Sequence, residues 1–373
     1  MTPEQLGYRM PAEWEPHEAT WLAWPHQTSD WPGKFQPIPW VYAEIVRKLA
    51  RVEKVRILIA PEATDKALRI LIKAGADLNA VEFFPIPTTR SWTRDYGPIF
   101  VKNAEGRVAI TNWRFNGWAK YENWKEDDAA PDRIARNLRM EQWKPEVRGR
   151  RVVLEGGSID VNGAGLLMTT EECLLSPIQA RNPELSKEEI EQVLAGYLGI
   201  EKVLWLGNGI TGDDTHGHID DLARFVSPDT VVVASESDPA DPNYELLRDN
   251  LKRLKRMCDQ HGRPLRVVTL PMPAPLYFEG QRLPASYANF YIANNLVLVP
   301  TFNDPNDRHA LNTLARLFPD REVCGIHAVD LVLGLGTLHC MTQQQPAGIS
   351  GAVTLLGDAR NPLPSRDRKG ADS

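Results

Sequence analysis

A repeated pair of strands is the feature of this sequence that most constrains its fold. Four short turns, each flanked by strand-like residues, begin near Asn103, Asn162, Ser227 and Ile292. Successive turns are separated by 59, 65 and 65 residues, and most are followed by a polar loop, a helix-like stretch and another strand. A regular interval of this size indicates an internally repeated architecture, and a chain of 373 residues has room for about five or six such units.

The spacing of apolar residues predicts which segments of the chain are strands and which are helices. Strand-like runs are Val55–Ala60, Val152–Leu154, Val203–Leu206, Thr230–Ala234, Val267–Leu270 and Leu296–Pro300. Helix-like runs are Val41–Ala50, Glu62–Ala74, Ser186–Leu198, Tyr244–His261 and Arg308–Phe318. Their alternation predicts an α/β protein, and the lack of a Ser/Gly-rich linker favours one continuous domain. We expect this domain to cover residues 1–360 and a polar, disordered tail to cover residues 361–373.

Charge and composition exclude several classes of function. The net charge of −6 argues against nucleic acid, whose phosphates require a basic surface, and is compatible with a cationic substrate. No apolar run approaches the ~18 residues that a membrane helix needs, and the first residues have no apolar signal-peptide core. None of the four cysteines forms a C-x-x-C pair. We therefore expect a cytoplasmic protein with reduced thiols.

The repeat also places three carboxylates and a thiol at similar positions. Asp95 lies eight residues before its turn, and Glu155 and Asp220 lie seven residues before theirs. Cys340 lies six residues before Pro346, in the stretch where a fifth turn is expected. Equivalent positions in a ring of modules point at a common axis, so these four side chains could meet in one central cavity.

The segment TGDDTHGHIDDLARF contains the densest group of chemically active side chains, and it is compatible with three interpretations. His216, His218 and Asp220 could bind zinc, because imidazoles and a carboxylate suit that ion. Alternatively, His218 is a general acid and base while Asp220 holds a cation. The third interpretation is a solvated acidic loop, and this segment alone does not choose among the three.

Cys340 differs from the other three cysteines in its surroundings. It follows a Gly-rich turn and precedes the polar strip Thr342–Gln345, which is unlike the setting of a packed core thiol. Cys173, Cys258 and Cys324 fit the role of small buried hydrophobic residues better. A single cysteine of this kind, with histidine and acids elsewhere in the chain, is a candidate catalytic nucleophile.

Taken together, these motifs resemble the agmatine deiminase family, which is related to the bacterial peptidyl-arginine deiminases. The resemblance extends from Met10 to Ala347. It is carried by MPAEWEPHEATWLAWP, WTRDYGP, FNGW, EGGSID, GDDTHGHID, LPASYANFYIANN and GTLHCMTQQQPA. It implies the pentein fold, a five-bladed α/β propeller of ββαβ-type modules around a pseudo-fivefold axis, with the active site in the central channel.

The family's catalytic residues carry over by position. The cysteine of its H-C-x-T motif corresponds to Cys340, and the histidine and aspartate of its G-H-x-D motif correspond to His218 and Asp220. The aspartate of its W-x-R-D motif corresponds to Asp95. The resemblance thus implies that these four residues are catalytic.

Three further residues are implied to bind the substrate. Trp92 lies beside the site, Glu155 belongs to the E-G-G motif, and Asp214 lies toward the amine end of the substrate. The family often has two glycines after the tryptophan of its F-N-x-W motif, where this chain has Ala119 and Lys120. A lysine buried near the site would favour a substrate that ends in a carboxylate over agmatine.

The implied activity is that of an agmatine iminohydrolase, a hydrolase acting on C–N bonds of linear amidines. It would convert agmatine to N-carbamoylputrescine and ammonia, a step toward putrescine, through a covalent Cys340 adduct and without a metal or organic cofactor. The expected partner is a small cationic guanidino compound, and a homodimer is expected from the family. Alternatives are a deiminase of peptidyl-arginine or another guanidine, a metal-dependent hydrolase using His216, His218 and Asp220, and a non-catalytic module that binds cations.

Overall fold

The computed structural model describes residues 1–350, so the tail expected at 361–373 lies outside the described residues. The helices are α1 Ile38–Leu49, α2 Thr64–Ala74, α3 Thr93–Tyr96, α4 Lys125–Asp128, α5 Ala130–Leu138, α6 Glu171–Leu175, α7 Lys187–Leu198, α8 Asn243–Leu254 and α9 Pro305–Leu317. The strands are β1 His17–Ala23, β2 Lys54–Leu58, β3 Val81–Phe84, β4 Ile99–Lys102, β5 Arg107–Thr111, β6 Gln142–Trp143, β7 Glu146–Val147, β8 Arg150–Arg151, β9 Asp160–Val161, β10 Leu166–Thr170, β11 Lys202–Leu206, β12 Ala223–Ser227, β13 Thr230–Ser235, β14 Arg266–Pro271, β15 Tyr277–Phe278, β16 Gln281–Arg282, β17 Tyr291–Ala293, β18 Leu296–Thr301, β19 Glu322–His327, β20 Gln343–Pro346 and β21 Ile349–Ser350.

Five sheets in the described part of the chain share one plan, an antiparallel strand pair extended by a parallel strand. Their orders are β20-β1-β2-β3, β21-β5-β4 with β6 beside β5, β11-β10-β9, β12-β13-β14 and β17-β18-β19. The pairs β7/β8 and β15/β16 form two small separate hairpins. This arrangement confirms the predicted α/β class and the repeated unit.

Helices connect the parallel strands of each sheet, because a parallel neighbour can be reached only by a crossover. α8 joins β13 to β14, and α9 joins β18 to β19. α9 begins with a capping box between Asp304 and Asp307, has Pro305 in its first turn, and buries Ala310 and Leu314. In this module the helix start is thus capped locally, and an apolar face of α9 packs on the sheet.

The four predicted turns each join the antiparallel strands of one sheet, namely β4/β5, β9/β10, β12/β13 and β17/β18. The fifth turn, expected near Pro346, differs because it joins β20 and β21, which belong to different sheets. The antiparallel partner of β20 is β1, with Thr20 opposite Gln344. The fifth antiparallel pair is therefore built from the two ends of the described chain, which no local turn signal reports.

Most predicted elements agree with the structure to within about three residues at each end, but one predicted strand and one predicted helix differ more. The run Val152–Leu154 is not a strand, because its successive backbone N–H groups donate to Pro145, Asn182 and Arg114 in turn and so form no regular ladder. The predicted helix Tyr244–His261 ends at Leu254. The carboxylate of Asp259 accepts hydrogen bonds from the backbone of His261 and Arg263, which closes a turn instead of continuing the helix.

Three apolar clusters stabilise this arrangement. The largest contains Trp21, Tyr42 and Leu298, all with 0% exposure, and so links α1 to β1 and β18. The others pack around β9–β11 with α7 and around β12–β14 with α8. No helix within residues 1–350 has the length and apolar character needed to cross a membrane.

Candidate active site

A cavity of about 480 Å³ opens among the loops that precede the sheets. Four of the seven residues predicted for the site contribute to its wall, namely Trp92, Asp95, Asp214 and Cys340. The wall also includes Asp30, Arg90, Trp118, Tyr121, Phe278, Glu279, Leu333, Leu335 and Gly336. The cavity is therefore lined by aromatic rings and carboxylates, which together suit an organic cation.

The fold brings the repeated polar positions together because each comes just before the first strand of an antiparallel pair. Asp95 lies in α3 before β4, Glu155 precedes β9, Asp220 precedes β12 and Cys340 precedes β20. These strands belong to four different sheets, so the side chains approach one another from four directions.

The thiol of Cys340 forms part of the cavity wall and is 6% exposed. Its Sγ lies 3.6 Å from Oδ2 of Asp220, and the side-chain amide of Asn289 donates a hydrogen bond to it over 3.1 Å. Burial raises the pKa of this thiol well above its usual range, and the nearby carboxylates of Asp220, Asp221 and Asp95 raise it further. The thiol is therefore neutral when the cavity holds no cation.

His218 is buried beside two carboxylates. Its Nδ1 lies 3.7 Å from Oδ1 of Asp95, and its Nε2 lies 3.8 Å from Oε2 of Glu155. Burial lowers the pKa of the imidazole, but the charge of Asp95 and the contacts with Cys173 and Glu155 outweigh it and raise the pKa well above the usual value. His218 is therefore a cation at neutral pH, with a proton to give.

Asp95 is fixed by two donors. Its Oδ1 accepts a hydrogen bond from the backbone of Gly157 over 3.0 Å, and its Oδ2 accepts one from the indole of Trp118 over 2.9 Å. Burial, with Asp220 and Glu155 adding to it and His218 opposing it, raises the pKa of Asp95 to about 6. A Cβ on Gly157 would lie 2.7 Å from both Asp95 Oδ1 and His218 Nδ1, which explains the glycine at this close approach.

Glu155 lies behind His218 and does not line the cavity. Arg181 donates to its two oxygens over 3.0 and 3.3 Å, and both side chains are completely buried. Burial alone would raise the pKa of Glu155, but the charges of Arg181 and His218 lower it to about 2. Glu155 is therefore a permanent anion that holds His218 and Arg181 in place.

Asp220 is anchored by a buried chain of charged groups. Its Oδ2 lies 2.7 Å from Nδ1 of His339, whose Nε2 lies 2.7 Å from Glu13, and Glu13 pairs with Arg224 over 2.9 Å. Burial alone would raise the pKa of Asp220, but the hydrogen bond and charge of His339, together with the charges of His218 and Arg224, lower it. The Oδ1 atom of Asp220 has no hydrogen-bond partner among residues 1–350, so an anionic acceptor remains available next to the thiol.

Asp214 lines a different part of the cavity wall and is paired at its outer side. Its Oδ2 accepts hydrogen bonds from the hydroxyl of Tyr121 over 2.7 Å and from Nζ of Lys120 over 3.1 Å. The Lys120 side chain is 40% exposed and does not line the cavity. The lysine that departs from the family pattern thus approaches Asp214 from the solvent and is not buried at the site.

The structure does not assemble the metal site that the sequence allowed. His216 lies with Nε2 3.2 Å from the hydroxyl of Ser176 and Nδ1 3.7 Å from Glu172. Within residues 1–350, the sets of three potential ligand atoms closer than 4.8 Å are Glu155, Cys173 and His218, and Asp220, Asp221 and Cys340. His216 belongs to neither set, so His216, His218 and Asp220 do not share one ion.

Several residues in contact with the site were not predicted from the sequence, namely Glu13, Trp118, Arg181, Asn289 and His339. Trp118 and His339 lie inside the FNGW and LHC motifs, yet their partners come from distant segments. Asn289 did carry a signal, because it precedes the first strand of the pair β17/β18, just as the other four positions precede the first strands of their antiparallel pairs.

Comparisons with known proteins agree with this site. Residues 9–346 match the family model of the Porphyromonas-type peptidyl-arginine deiminases. An agmatine deiminase of Pseudomonas aeruginosa is 38% identical over 369 residues, which cover 93% of this chain and 97% of that protein. The structure of an Enterococcus faecalis agmatine deiminase superposes with a TM-score of 0.85 at 35% identity, covering 93% and 98% of the two chains. That of a C. jejuni agmatine deiminase with substrate bound has a TM-score of 0.82 at 31% identity, covering 92% and 97%. The chain therefore belongs to the Porphyromonas-type peptidyl-arginine deiminase family.

Proposed function

We propose that this protein is an agmatine deiminase, which hydrolyses agmatine to N-carbamoylputrescine and ammonia. The observation that carries the proposal is the thiol of Cys340 in the wall of a cavity that is also lined by Asp95. The buried carboxylate of Asp220 lies directly behind this wall, 3.6 Å from Sγ. Relatives of similar length that are agmatine deiminases support it.

A guanidinium is planar and cationic, and each carboxylate can accept two of its N–H groups. We place it between Asp95 and Asp220, with its central carbon facing Cys340. The same carboxylates raise the pKa of the empty site's thiol. A bound cation cancels part of the electrostatic field of these carboxylates. The substrate itself therefore favours loss of the thiol proton to solvent, which leaves the thiolate that attacks it.

The reaction then has two halves. The Cys340 thiolate attacks the guanidinium carbon to form a C–S bond, and His218 donates its proton to the amino group that leaves as ammonia. A thiouronium adduct remains. His218, now neutral, takes a proton from water as the water oxygen attacks the same carbon. The C–S bond breaks, which releases the carbamoyl product and returns the thiol.

We also propose that the five sheets surround one pseudo-fivefold axis as a pentein domain that includes all of residues 1–350, and that two copies form a homodimer. The common plan of the sheets and the pairing of β1 with β20, which links the chain ends, support a closed ring. Analytical ultracentrifugation checks the dimer, because a single species at monomer mass would contradict it.

A colorimetric assay for the ureido product tests the function directly. Agmatine, free arginine and an arginyl peptide should be compared at equal concentration, with and without a chelator. We expect turnover of agmatine to exceed that of the other two and to resist the chelator. Preference for the peptide would support the peptidyl-arginine alternative, and loss of activity with the chelator would support a metal-dependent hydrolase.

Asp214 is expected to bind the distal ammonium of agmatine. The variant Asp214→Asn should lower kcat/KM for agmatine about 10- to 100-fold, because a charged hydrogen-bond partner is lost. A neutral-tailed alkylguanidine has no ammonium to bind, so its kcat/KM should change less than about threefold. Equal losses on both substrates would contradict this role.

Lys120→Met provides the matched control at the same carboxylate. Lys120 competes for Oδ2 of Asp214 from the solvent side, at 3.1 Å. Its removal should leave kcat/KM for agmatine unchanged or higher, the opposite sign to Asp214→Asn. A loss with Lys120→Met as large as that with Asp214→Asn would mean that the pair supports the loop and does not select the substrate.

The pH dependence of kcat/KM should report Asp95. Its pKa is about 6 in the free enzyme, so below that pH the carboxyl is protonated and loses its attraction for the substrate cation. We expect kcat/KM for agmatine to fall toward a tenfold loss per pH unit below about pH 6. A profile that stays flat down to pH 4.5 would exclude Asp95 as an essential anion.

The variant Trp118→Phe should shift the acid limb of this pH profile, which is the fall in kcat/KM below about pH 6. The indole N–H donates to Oδ2 of Asp95 over 2.9 Å and so favours the charged carboxylate. Its loss should shift the acid limb to higher pH. Trp113→Phe is the matched control, because the indole of Trp113 donates to Thr111 and not to the site, and its profile should coincide with that of the unaltered enzyme.

A further inference from the structure

Asn289 is the fifth member of the ring of polar positions that precede the antiparallel pairs. It lies two residues before β17, a position similar to those of Asp220 and Cys340, which lie three residues before β12 and β20. Its side chain is completely buried, with 0% exposure. The mechanism above does not use it, although its Nδ2 lies 3.1 Å from the reacting sulfur of Cys340.

The orientation of the Asn289 amide is determined by its neighbours. Its Oδ1 accepts hydrogen bonds from the backbone of His339 over 3.0 Å and from the hydroxyl of Thr337 over 2.7 Å. A backbone N–H can only donate, so the oxygen must face the loop that leads into Cys340. The NH₂ group must therefore face Asp221 Oδ1, at 3.0 Å, and Cys340 Sγ, at 3.1 Å.

Asn289 is the only side chain among residues 1–350 that donates a hydrogen bond to Cys340 Sγ. The carboxylates of Asp220 and Asp95 disfavour a negative sulfur, whereas a backbone hydrogen bond from Thr337 favours it. A neutral thiol gains little from an amide donor. A thiolate gains more, because a hydrogen bond to an ionised acceptor is about twice as strong.

Asp221 completes the arrangement. It is 3% exposed, and burial together with the charge of Asp220 raises its pKa well above the usual range, so it is held protonated. The hydroxyl of Ser286 donates to the backbone oxygen of Asp221 over 2.7 Å, which joins the Asn289 loop to the loop that carries Asp220. Through its NH₂ group, Asn289 connects the thiol of Cys340 to Asp221, the residue that follows Asp220.

We propose that Asn289 is a catalytic residue that donates a hydrogen bond to the Cys340 thiolate and fixes Sγ relative to Asp220. This inference rests on the proposed function for the step in which the thiolate attacks. The contact with the sulfur exists without substrate, so it can also be tested without turnover.

The variant Asn289→Asp preserves the oxygen that accepts from His339 while weakening donation to the sulfur. An ionised carboxylate repels the thiolate, and a protonated one carries one hydrogen where the amide carries two. We expect kcat to fall about 100-fold with KM within about threefold, as for loss of one donor to a developing anion. Alkylation by iodoacetamide, followed at the Cys340 peptide by mass spectrometry, should slow at least about tenfold at pH 7.5 and move its pH midpoint upward.

Thr337→Val is the matched control, because it removes a donor to Oδ1 of Asn289 and leaves the N–H groups unchanged. It should alter the alkylation rate less than about threefold. Equal effects of the two variants, or an unchanged alkylation profile in Asn289→Asp, would overturn the proposal. The alkylation arm does not depend on which guanidine is the substrate, so failure of the agmatine assay and failure of this inference are separate results.

A measurement on the unaltered protein covers the case in which Asn289→Asp does not fold. With ¹⁵N-labelled asparagine, one side-chain amide that is protected from exchange should change its chemical shift with the pH midpoint found for alkylation of Cys340. If no protected amide follows that midpoint, Asn289 does not sense the thiolate and the proposal is wrong.

Discussion

Cys340→Ser should abolish turnover of agmatine, with a loss of kcat on the order of 10⁴-fold or more. A serine hydroxyl is a far weaker acid than a thiol, and the carboxylates that already raise the pKa of the Cys340 thiol would oppose its ionisation even more strongly. His218 is a cation in the free enzyme and cannot act as the base that a serine nucleophile requires. Steady-state assays with agmatine measure the loss.

The fold of this variant should be unchanged, because sulfur and oxygen differ little in size and Asn289 can still donate to the new acceptor. Cys324→Ser is the matched control, since Cys324 lies on β19 and does not line the cavity. Among residues 1–350, its thiol has only its own neighbour Gly325 as a hydrogen-bond partner. It should retain full activity. More than about 1% activity in Cys340→Ser would remove Cys340 from the role of nucleophile.

The repeated unit could be predicted because its signals are local. Turn residues near Asn103, Asn162, Ser227 and Ile292 each fix a hairpin within a few residues, and hairpin geometry depends on the turn itself. The pairing of β1 with β20 has no such signal, because its partners stand more than 300 residues apart, as Trp21 and Gln343 do. Long-range register is decided by packing that only the folded chain reveals.

The same distinction separates the predicted site residues from the missed ones. Asp95, Glu155, Asp220 and Cys340 stand in similar positions before a strand, so the repeat identified them together. The repeat does not identify Arg181 and Glu13, because each lies on a loop distant in sequence and pairs with a buried charge of the site region. A sequence shows that a carboxylate adjoins a buried strand, but it does not show which cation will pair with it.

Asp214 illustrates how geometry changes an interpretation that the sequence suggested. The replacement of glycine by Lys120 raised the possibility of a substrate carboxylate at the far end of the cavity. In the structure Lys120 reaches Asp214 from solvent and does not line the cavity. The wall carries four acidic side chains and one basic side chain, namely Asp30, Asp95, Asp214, Glu279 and Arg90. Because the acidic side chains predominate, the wall favours a substrate with a cationic tail.

Glu155 and Arg181 form the most deeply buried ion pair in contact with the site, with both side chains 0% exposed. Arg181 also donates to the backbone oxygens of Gln179 and Thr215, so the pair ties the Glu155 loop to the segment that carries His218. Neither charge can be hydrated in this position. Removing one partner therefore leaves the other as an uncompensated charge in a medium of low polarity.

Arg181→Met should lower the free energy of unfolding by about 3–5 kcal/mol, because Glu155 would remain buried without a partner. The double variant Glu155→Gln with Arg181→Met should be more stable than the sum of the two single changes predicts, since no charge is then stranded. Arg253→Met is the matched control. Arg253 pairs with Glu171 and Asp249 at a side chain that is 36% exposed, and exposed pairs contribute about 0–1 kcal/mol. Urea unfolding of the unaltered protein, the two single variants, the double variant and Arg253→Met measures the difference. Additive single changes, or an Arg181→Met loss no larger than that of Arg253→Met, would mean that water reaches Glu155 and screens its charge.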